Sequence, residues 1–333
     1  MARKALGPNA LAVVAAVRPW LAADEGSPRR RAVRIACSGG PDSLALAAAA
    51  AWVQTHCPDP LREMSAMVID HGLQHGSAAV ATEAARQVTA LGIPAEVVLV
   101  NVAVDSPDGL ESAARDARYA ALRGGGAMAT SPDLVLLGHT LDDQAETVLL
   151  GLARGSGTRS LAGMPERFGV SPEFIRPLLR LRRAATTAAC AEFGLTPWQD
   201  PQNADPRFLR ARIRAELMPR LAEVLGPGVT EALARTADLA RADADQLDAL
   251  AATVLATART DAGALHAATV ATTPASLQGR VIRQWLAAYH LELSYERTQA
   301  VLALLTDWHG QGPVQVPGGT VVRAAANLIF IKS

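Results

Sequence analysis

The chain has 333 residues, half of them hydrophobic, enough for two domains at roughly 150 residues each. Its 32 basic residues balance 32 acidic ones, so overall charge does not draw it to nucleic acid or to a membrane surface. No apolar run reaches the roughly 18–20 residues of a membrane span, and three cysteines with no close pair exclude a disulfide framework, a zinc knuckle and a Cys-x-x-Cys redox pair.

In chain order, Pro8 and Asn9 interrupt the N-terminal stretch and Arg18 ends its apolar run, so 10–22 reads as an amphipathic helix and not as a signal peptide. A buried strand is predicted over 32–36, followed by Cys37-Ser38-Gly39-Gly40-Pro41-Asp42-Ser43 and a helix from Leu44. A second strand at 66–69 ends in Asp70-His71-Gly72-Leu73, and a helix over 77–91, capped by Ser77, stops at Gly92. A third strand at 94–100, a polar loop at 105–109, a helix at 110–122, a fourth strand at 134–137 and a helix at 142–152 follow. Strands and helices alternating at this spacing predict a parallel, doubly wound α/β sheet, which binds ligands beyond the carboxyl ends of its strands. The unusual polar residues sit at those ends: 38–43, Asp70-His71, and His139 to Asp143.

The stretch 154–160 reads as a flexible basic loop, 174–179 as a short extended piece, 182–193 and 209–217 as helices. Gly226-Pro227-Gly228 is the clearest punctuation, so the expected domains are 1–220 and 221–333. The second is mainly helical, with helices at 230–256, 275–289 and 294–305 and short strands at 313–316, 320–324 and 328–331. The neutral total hides an asymmetry: 12 basic against 16 acidic residues in 1–150, 12 against 6 in 151–220, and 8 against 10 in 221–333. Thirty of the 32 basic residues are Arg, which forks onto phosphates better than Lys. A GC-rich genome also raises Arg and Ala, so the clustering carries more than the number, and 151–220 is the candidate polyanion-facing surface.

A strand that stops in Ser-Gly-Gly and restarts as a helix aims unpaired N–H groups and the positive helix end outward, a ready anion site. Gly39 and Gly40 let backbone approach a phosphate, and Ser38 and Ser43 add hydroxyl donors. Asp42 repels a phosphate unless Mg2+ bridges the two. In Gly138-His139-Thr140-Leu141-Asp142-Asp143-Gln144-Ala145-Glu146-Thr147, either Asp142 or Asp143 suits a helix cap, but Asp143 and Glu146 share a face. Two adjacent carboxylates call for a cation between them, a metal or an ammonium substrate. His139 is read equally as a nucleotide contact and as a satisfied structural residue.

These motifs resemble a known family. Ser-Gly-Gly-x-Asp-Ser is similar to the loop of the pyrophosphate-loop ATP pyrophosphatase superfamily, with its adenine nucleotide α-hydrolase-like fold. Added to it, Asp70-His71-Gly72-Leu73, the Gly138 to Thr147 run, 154–164, Arg176-Pro177-Leu178-Leu179, Asp200-Pro201-x-Asn203 and Arg210-x-Arg212-Ile213-Arg214 resemble the tRNA(Ile)-lysidine synthases over about 30–220. That family adenylates the anticodon cytidine of an isoleucine tRNA (anticodon CAU) on its C2 oxygen, and the ε-amine of free lysine then displaces AMP. The resemblance implies ATP and Mg2+ as cofactors. Ser38, Gly39, Gly40, Pro41, Asp42 and Ser43 would hold the phosphates, Asp42 would hold the metal, and Ile69, His71 and His139 would border the nucleotide. Asp143, Glu146 and Arg118 would meet lysine, Arg118 standing near that pair or the phosphates with Arg115 competing for its place, and Arg214 with Asp42 would be catalytic. Arg154, Arg159, Arg210 and Arg212 are candidate tRNA contacts, although the family usually has Asn where this chain has Ala211. The tail implies a short form of the tRNA-gripping domain, with Arg280 and Arg283 as candidate contacts. A cytoplasmic location, no membrane partner and a homodimer complete the expectations. The rivals are tRNA cytidine thiolation, ATP-dependent amide formation on small molecules, and a non-catalytic tRNA-binding module.

Overall fold

The computed structural model describes residues 6–22, 31–59, 62–74, 76–103, 109–124, 131–155, 157–201 and 205–333, with backbone alone at 111. The expected loop residues 105–108, Ser156 and Asn203 lie outside them. By compactness the chain falls into two units, 1–150 with 163–235, and 151–162 with 236–333. The sequence-derived division at 220/221 thus differs from the structural one, which cuts inside a helix and gives 151–162 to the second unit.

The first unit is built on β1 (Arg31–Cys37), whose side chains alternate between two apolar layers as strand geometry requires. Val33, Ile35 and Cys37 join Met64, Ala66 and Val68 of β2 (Arg62–Asp70) and Leu134 and Leu136 of β4 (Leu134–Leu136) on one face. Ala36, Met67, Val135 and Leu137 face the other way. With β3 (Ala95–Leu99), β5 (Arg167–Phe168) and β6 (Glu173–Ile175), these form a six-stranded sheet in the order β3-β2-β1-β4-β6-β5. Every pairing is parallel except β5 with β6, an antiparallel edge that the sequence did not signal.

The first face is covered by α1 (Pro8–Leu21), α2 (Pro41–His56), α3 (Ser77–Ala90) and α7 (Arg183–Phe193). Tyr119 and Leu122 of α4 (Leu110–Arg123) cover the second. In α2 every residue from Ser43 to Ala51 is buried, which a helix of Ala and Leu tolerates because small side chains let neighbours approach on all sides. Ser77 begins α3 but does not cap it; the cap position is Gly76, at φ 82°. Strand order reverses between β1 and β4, so the crevice outside their carboxyl ends is the switch point. There β1 runs into the Ser38–Gly40 turn and α2, and β4 into Gly138 and α5 (Leu141–Arg154).

The second unit holds α6 (Thr158–Leu161), most of α10 (Val229–Ala258), α11 (Ala267–Ala271), α12 (Ala275–Ala287) and α13 (Tyr295–Thr306). Four antiparallel strands complete it in the order β7-β10-β9-β8, namely β7 (Leu265–His266), β8 (Val314–Val316), β9 (Gly319–Ala324) and β10 (Asn327–Lys332). Trp285 is fully buried at its centre with Leu265, Val321 and Leu328, and its indole N–H donates to Gly263 O at 2.8 Å. The stretch read as a flexible loop therefore contains a helical turn at 158–161.

Candidate active site

The turn after β1 is cinched by one hydroxyl. Ser43 Oγ donates to Gly40 O at 3.0 Å, accepts from Ser38 N at 3.1 Å and lies 3.2 Å from Ser38 Oγ. Gly39 has φ 80°, and a Cβ there would meet Ala84 Cβ at 3.0 Å, so both its conformation and its surroundings require glycine. Its carbonyl accepts from Trp198 N at 2.9 Å. A Cβ on Gly138 would stand 3.1 Å from the Asp42 carbonyl, so the end of β4 lies directly against the first turn of α2. That close approach brings Asp42 next to the carboxylates of α5.

Asp143 forms a capping box with Thr140: its Oδ2 accepts from Thr140 N and Oγ1 at 2.8 Å, while Asp143 N donates back to Thr140 Oγ1 at 3.5 Å. The cap itself is Thr140, and of the two aspartates it is Asp143 that closes the box, its other oxygen left for the cavity. Asp142 holds the start of α7 instead, accepting from Arg183 N at 2.8 Å and pairing with Arg182 at 3.2 Å.

Two arginines lie among the carboxylates. Each guanidinium nitrogen of Arg183 reaches a different one: Nε to Asp42 at 3.2 Å, Nη2 to Asp143 at 2.6 Å and Nη1 to Glu146 at 3.3 Å. Arg214 forks onto Glu146, Nε at 2.8 Å and Nη2 at 3.1 Å, and reaches Asp143 at 3.4 Å. It sits in a single π-helical turn, Ile213–Leu217, between α8 (Leu209–Arg212) and α9 (Met218–Leu225). Arg210 stands 3.7 Å from Glu146 and donates to Thr147 Oγ1 at 2.9 Å. The cation that the spacing of Asp143 and Glu146 called for is thus supplied by the chain itself.

This arrangement sets the charges. Burial alone raises the Asp143 carboxyl, but Arg183, His139 and the Thr140 hydrogen bonds outweigh it and hold the group down to about 2. Asp42 is raised, because burial prevails over the Thr186 hydroxyl and Arg183. Burial also lowers the Arg183 guanidinium, yet the three carboxylates prevail and leave it raised. His139 is pushed down to about 3, by burial first and then by Arg118, Arg176 and Arg210, against Asp143. Arg176, itself 2% exposed, donates Nε–H to His139 Nδ1 at 3.3 Å, so the neutral ring carries its proton on Nε2.

A cavity of about 860 Å3 opens beside this cluster. Ser38, Gly40, Pro41, Asp42, Ser43, Ile69, His71, His139, Asp143, Arg118, Arg210 and Arg214 all line it, as do Arg183 and Trp198. Gly39 and Glu146 stand behind that lining. His71 Nδ1 is buried with no hydrogen-bond partner among the described residues, and burial lowers the ring's pKa. Arg118 lines the cavity, while Arg115 lies over the Tyr119 ring at 4.9 Å, outside the lining. An orphaned ring nitrogen, a glycine cradle and a hydroxyl-lined turn suit a nucleotide triphosphate. Among the described residues no three His, Cys, Asp or Glu side chains group as a metal cage. One carboxylate, Asp42, suits Mg2+ when the remaining ligands are phosphate oxygens and water.

The other basic residues are placed less simply. Arg159 pairs with Asp245 at 2.7 Å and with Asp248, and Arg280, 9% exposed, is bound to Asp248 and to Thr158 Oγ1. Arg280 is therefore a buried structural cation, not an open phosphate contact. Arg283 is exposed, as is Arg154, and Arg212 stands 3.9 Å from Glu216. Within 151–220, Arg182, Arg183, Arg210 and Arg214 face carboxylates, whereas Arg154, Arg159, Arg167, Arg180, Arg207, Arg212 and Arg220 are exposed, so only part of that segment's charge is spent inside the fold. Sequence reasoning missed Arg183 and Thr186, and quoted Arg176 within a family motif without giving it a role in the site. The available signal was Arg182-Arg183 at a helix start, where the dipole disfavours a cation.

Sheet order, glycine turn and switch-point cavity define a PP-loop ATP-utilising domain, and a PP-loop domain model matches residues 15–221. A model of the TilS substrate binding domain matches residues 265–329. The chain is 55% identical over 283 residues to the tRNA(Ile)-lysidine synthase of Mycolicibacterium paratuberculosis, covering 85% of this chain and 83% of the relative. It is 53% identical to that of Nocardia farcinica, covering 92% and 91%, and 44% identical to that of Salinispora arenicola, covering 98% of each. The chain belongs to the tRNA(Ile)-lysidine synthase family, a family of ATP-dependent ligases. A solved U34-tRNA thiolase from Methanococcus maripaludis, with its 4Fe-4S cluster, shares the fold at TM-score 0.53 and 17% identity, over 69% of this chain and 78% of that one. Thiolation is not favoured here: the family match points elsewhere, and Cys37, Cys57 and Cys190 are free and belong to no metal-binding group among the described residues.

Proposed function

We propose that the chain joins free lysine to C2 of the wobble cytidine in an isoleucine tRNA with a CAU anticodon, so that the tRNA reads AUA. In this reading the cytidine C2 oxygen attacks the α-phosphorus of ATP and pyrophosphate leaves. The ε-ammonium of lysine gives up a proton to solvent, the free amine attacks C2, and AMP leaves with the oxygen. The turn at Ser38 to Ser43 binds the triphosphate through backbone N–H groups and hydroxyls. Asp42 would hold Mg2+, which when bound neutralises phosphate charge. Ile69, His71 and the Nε2–H of His139 border the nucleotide, and Arg118 and Arg214 bring positive charge to where anionic oxygens develop. Asp143 and Glu146 receive the lysine ammonium groups.

The observation that carries this reading is the tie of Asp42, beside the phosphate turn, to Asp143 and Glu146 through one side chain, at 2.6–3.3 Å. It supports a single site in which a triphosphate and an amino-acid cation are neighbours. The second unit, with its match to a substrate binding domain, is the proposed tRNA grip, and Arg154, Arg210, Arg212 and Arg283 remain candidate contacts. A cytoplasmic location accords with three free thiols, and no helix among the described residues is long and apolar enough to cross a membrane.

The test is a reaction containing ATP, labelled lysine and an isoleucine tRNA transcript with a CAU anticodon. Label is expected to enter the tRNA with release of AMP. ATP cleavage without incorporation of label overturns the reading.

A further inference from the structure

The carboxylate cluster is complete before any substrate arrives. Asp42, Asp143 and Glu146 face Arg183 and Arg214, with Arg210 at the margin, so charge is already balanced. An incoming ammonium group has no anion left unless a resident cation moves. Arg214 and Arg183 differ in how they are held. Arg214 makes a two-pronged contact with one carboxylate, whereas Arg183 spreads a single bond to each of three. Arg183 is also the first residue of α7, where the helix dipole repels a cation, so its position is unfavourable apart from these partners. One of the partners, Asp42, belongs to the phosphate turn.

We infer that Arg183 is the resident cation that lysine displaces, and that a triphosphate at the neighbouring turn draws its guanidinium off Asp143 and Glu146, coupling the two half-sites. This rests on the lysine reading above. Bound phosphates offer Arg183 a better partner than Asp42, since a triphosphate carries more negative charge than one carboxylate and can take the two-pronged contact that Asp42, bonded through Nε alone, does not make. Once it turns, Asp143 and Glu146 are undercompensated and take up an amine. Arg183 thus imposes order, nucleotide before lysine, and bars adventitious amines from the empty site. By linkage lysine must strengthen nucleotide binding by the same factor.

The test is calorimetric titration of lysine into the full chain, with and without a non-hydrolysable ATP analogue and Mg2+, for wild type and Arg183→Gln. Wild type should bind lysine at least about tenfold more tightly with the analogue present, a usual size for coupling between sites. Arg183→Gln should bind lysine without nucleotide more tightly than wild type does, with the coupling factor reduced to within about twofold of one. A purely structural role predicts the opposite, weaker lysine binding in both states, and that result, or unchanged coupling, overturns the inference. Should Arg183→Gln fail to fold, Arg183→Lys keeps the charge but cannot span three carboxylates, and its coupling must fall below that of wild type; equality overturns the inference. Absence of lysine binding to wild type in both states overturns the lysine reading along with it, whereas intact but Arg183-independent coupling overturns this inference alone.

Discussion

Asp143 combines two tasks that proteins usually assign to different residues. One oxygen closes the capping box of α5 and the other faces Arg183 in the cavity, so the helix start fixes the charge in place. Asp143→Asn keeps an acceptor for Thr140 and removes the anion; the lysine KM should rise at least about tenfold while nucleotide affinity changes less than about threefold. Equal losses of both would remove Asp143 from the lysine pocket. The same residue predicts acid behaviour. Its carboxyl lies near 2 in the folded chain against 3.8 when unperturbed, so its ionisation stabilises the fold above pH 3.8 and that contribution is lost as pH falls through about 2. The stability gap between wild type and Asp143→Asn, read by denaturant unfolding, should narrow as pH falls from about 5 towards about 2. Asp42, raised by burial, acts in the opposite sense over its own range and moderates the total. At Arg214 the fork onto Glu146 is the feature to test. Arg214→Lys retains charge without two-point geometry, and kcat should fall by about 10²–10³ with little change in either KM.

Among the elements, the turn into α2 tolerates little change at Gly39. Gly39→Ala puts a side chain at φ 80° and 3.0 Å from Ala84. The left-handed conformation costs about 1–2 kcal/mol, so Tm should drop by about 2–6 °C and nucleotide titration should show weakened binding. Unchanged affinity would separate the turn from nucleotide binding. This turn, the parallel sheet and the α5 carboxylates were legible because each rests on local chemistry: a Gly-Gly between apolar strand and helix, short continuous apolar runs alternating with helices, and a motif at a strand end. The two-residue strands β5 and β7 were not, since such short segments carry no periodicity and exist only through their pairing partners. The π turn holding Arg214 left no mark either, because its extra residue is revealed by hydrogen bonding and not by composition. Arg183 was missed for another reason. Its significance depends on Asp42, Asp143 and Glu146, all distant in sequence, and only the tertiary fold makes them neighbours.

Across the whole molecule, charge is arranged by partner and not by segment. The middle segment's basic excess predicted a broad phosphate-facing surface, yet Arg176, Arg182, Arg183, Arg210 and Arg214 are engaged within the first unit. Only the outward-facing residues should contribute to the ionic part of tRNA binding. Arg154→Ala combined with Arg212→Ala should flatten the salt dependence of tRNA affinity by about one unit of slope for each phosphate no longer neutralised. An unchanged slope in filter binding between about 50 and 200 mM salt would move the RNA surface elsewhere.

The stretch 151–162 leaves the first unit and is fastened in the second by Arg159 to Asp245 and Asp248, by Arg280 to Thr158, and by Arg241 to Ala162 O. The C-terminal unit is therefore stitched into the middle of its neighbour's coding stretch and not simply appended after it. A recombination event that swapped tails between relatives would have to carry two separated pieces of gene together, or leave a carboxylate row without its cation.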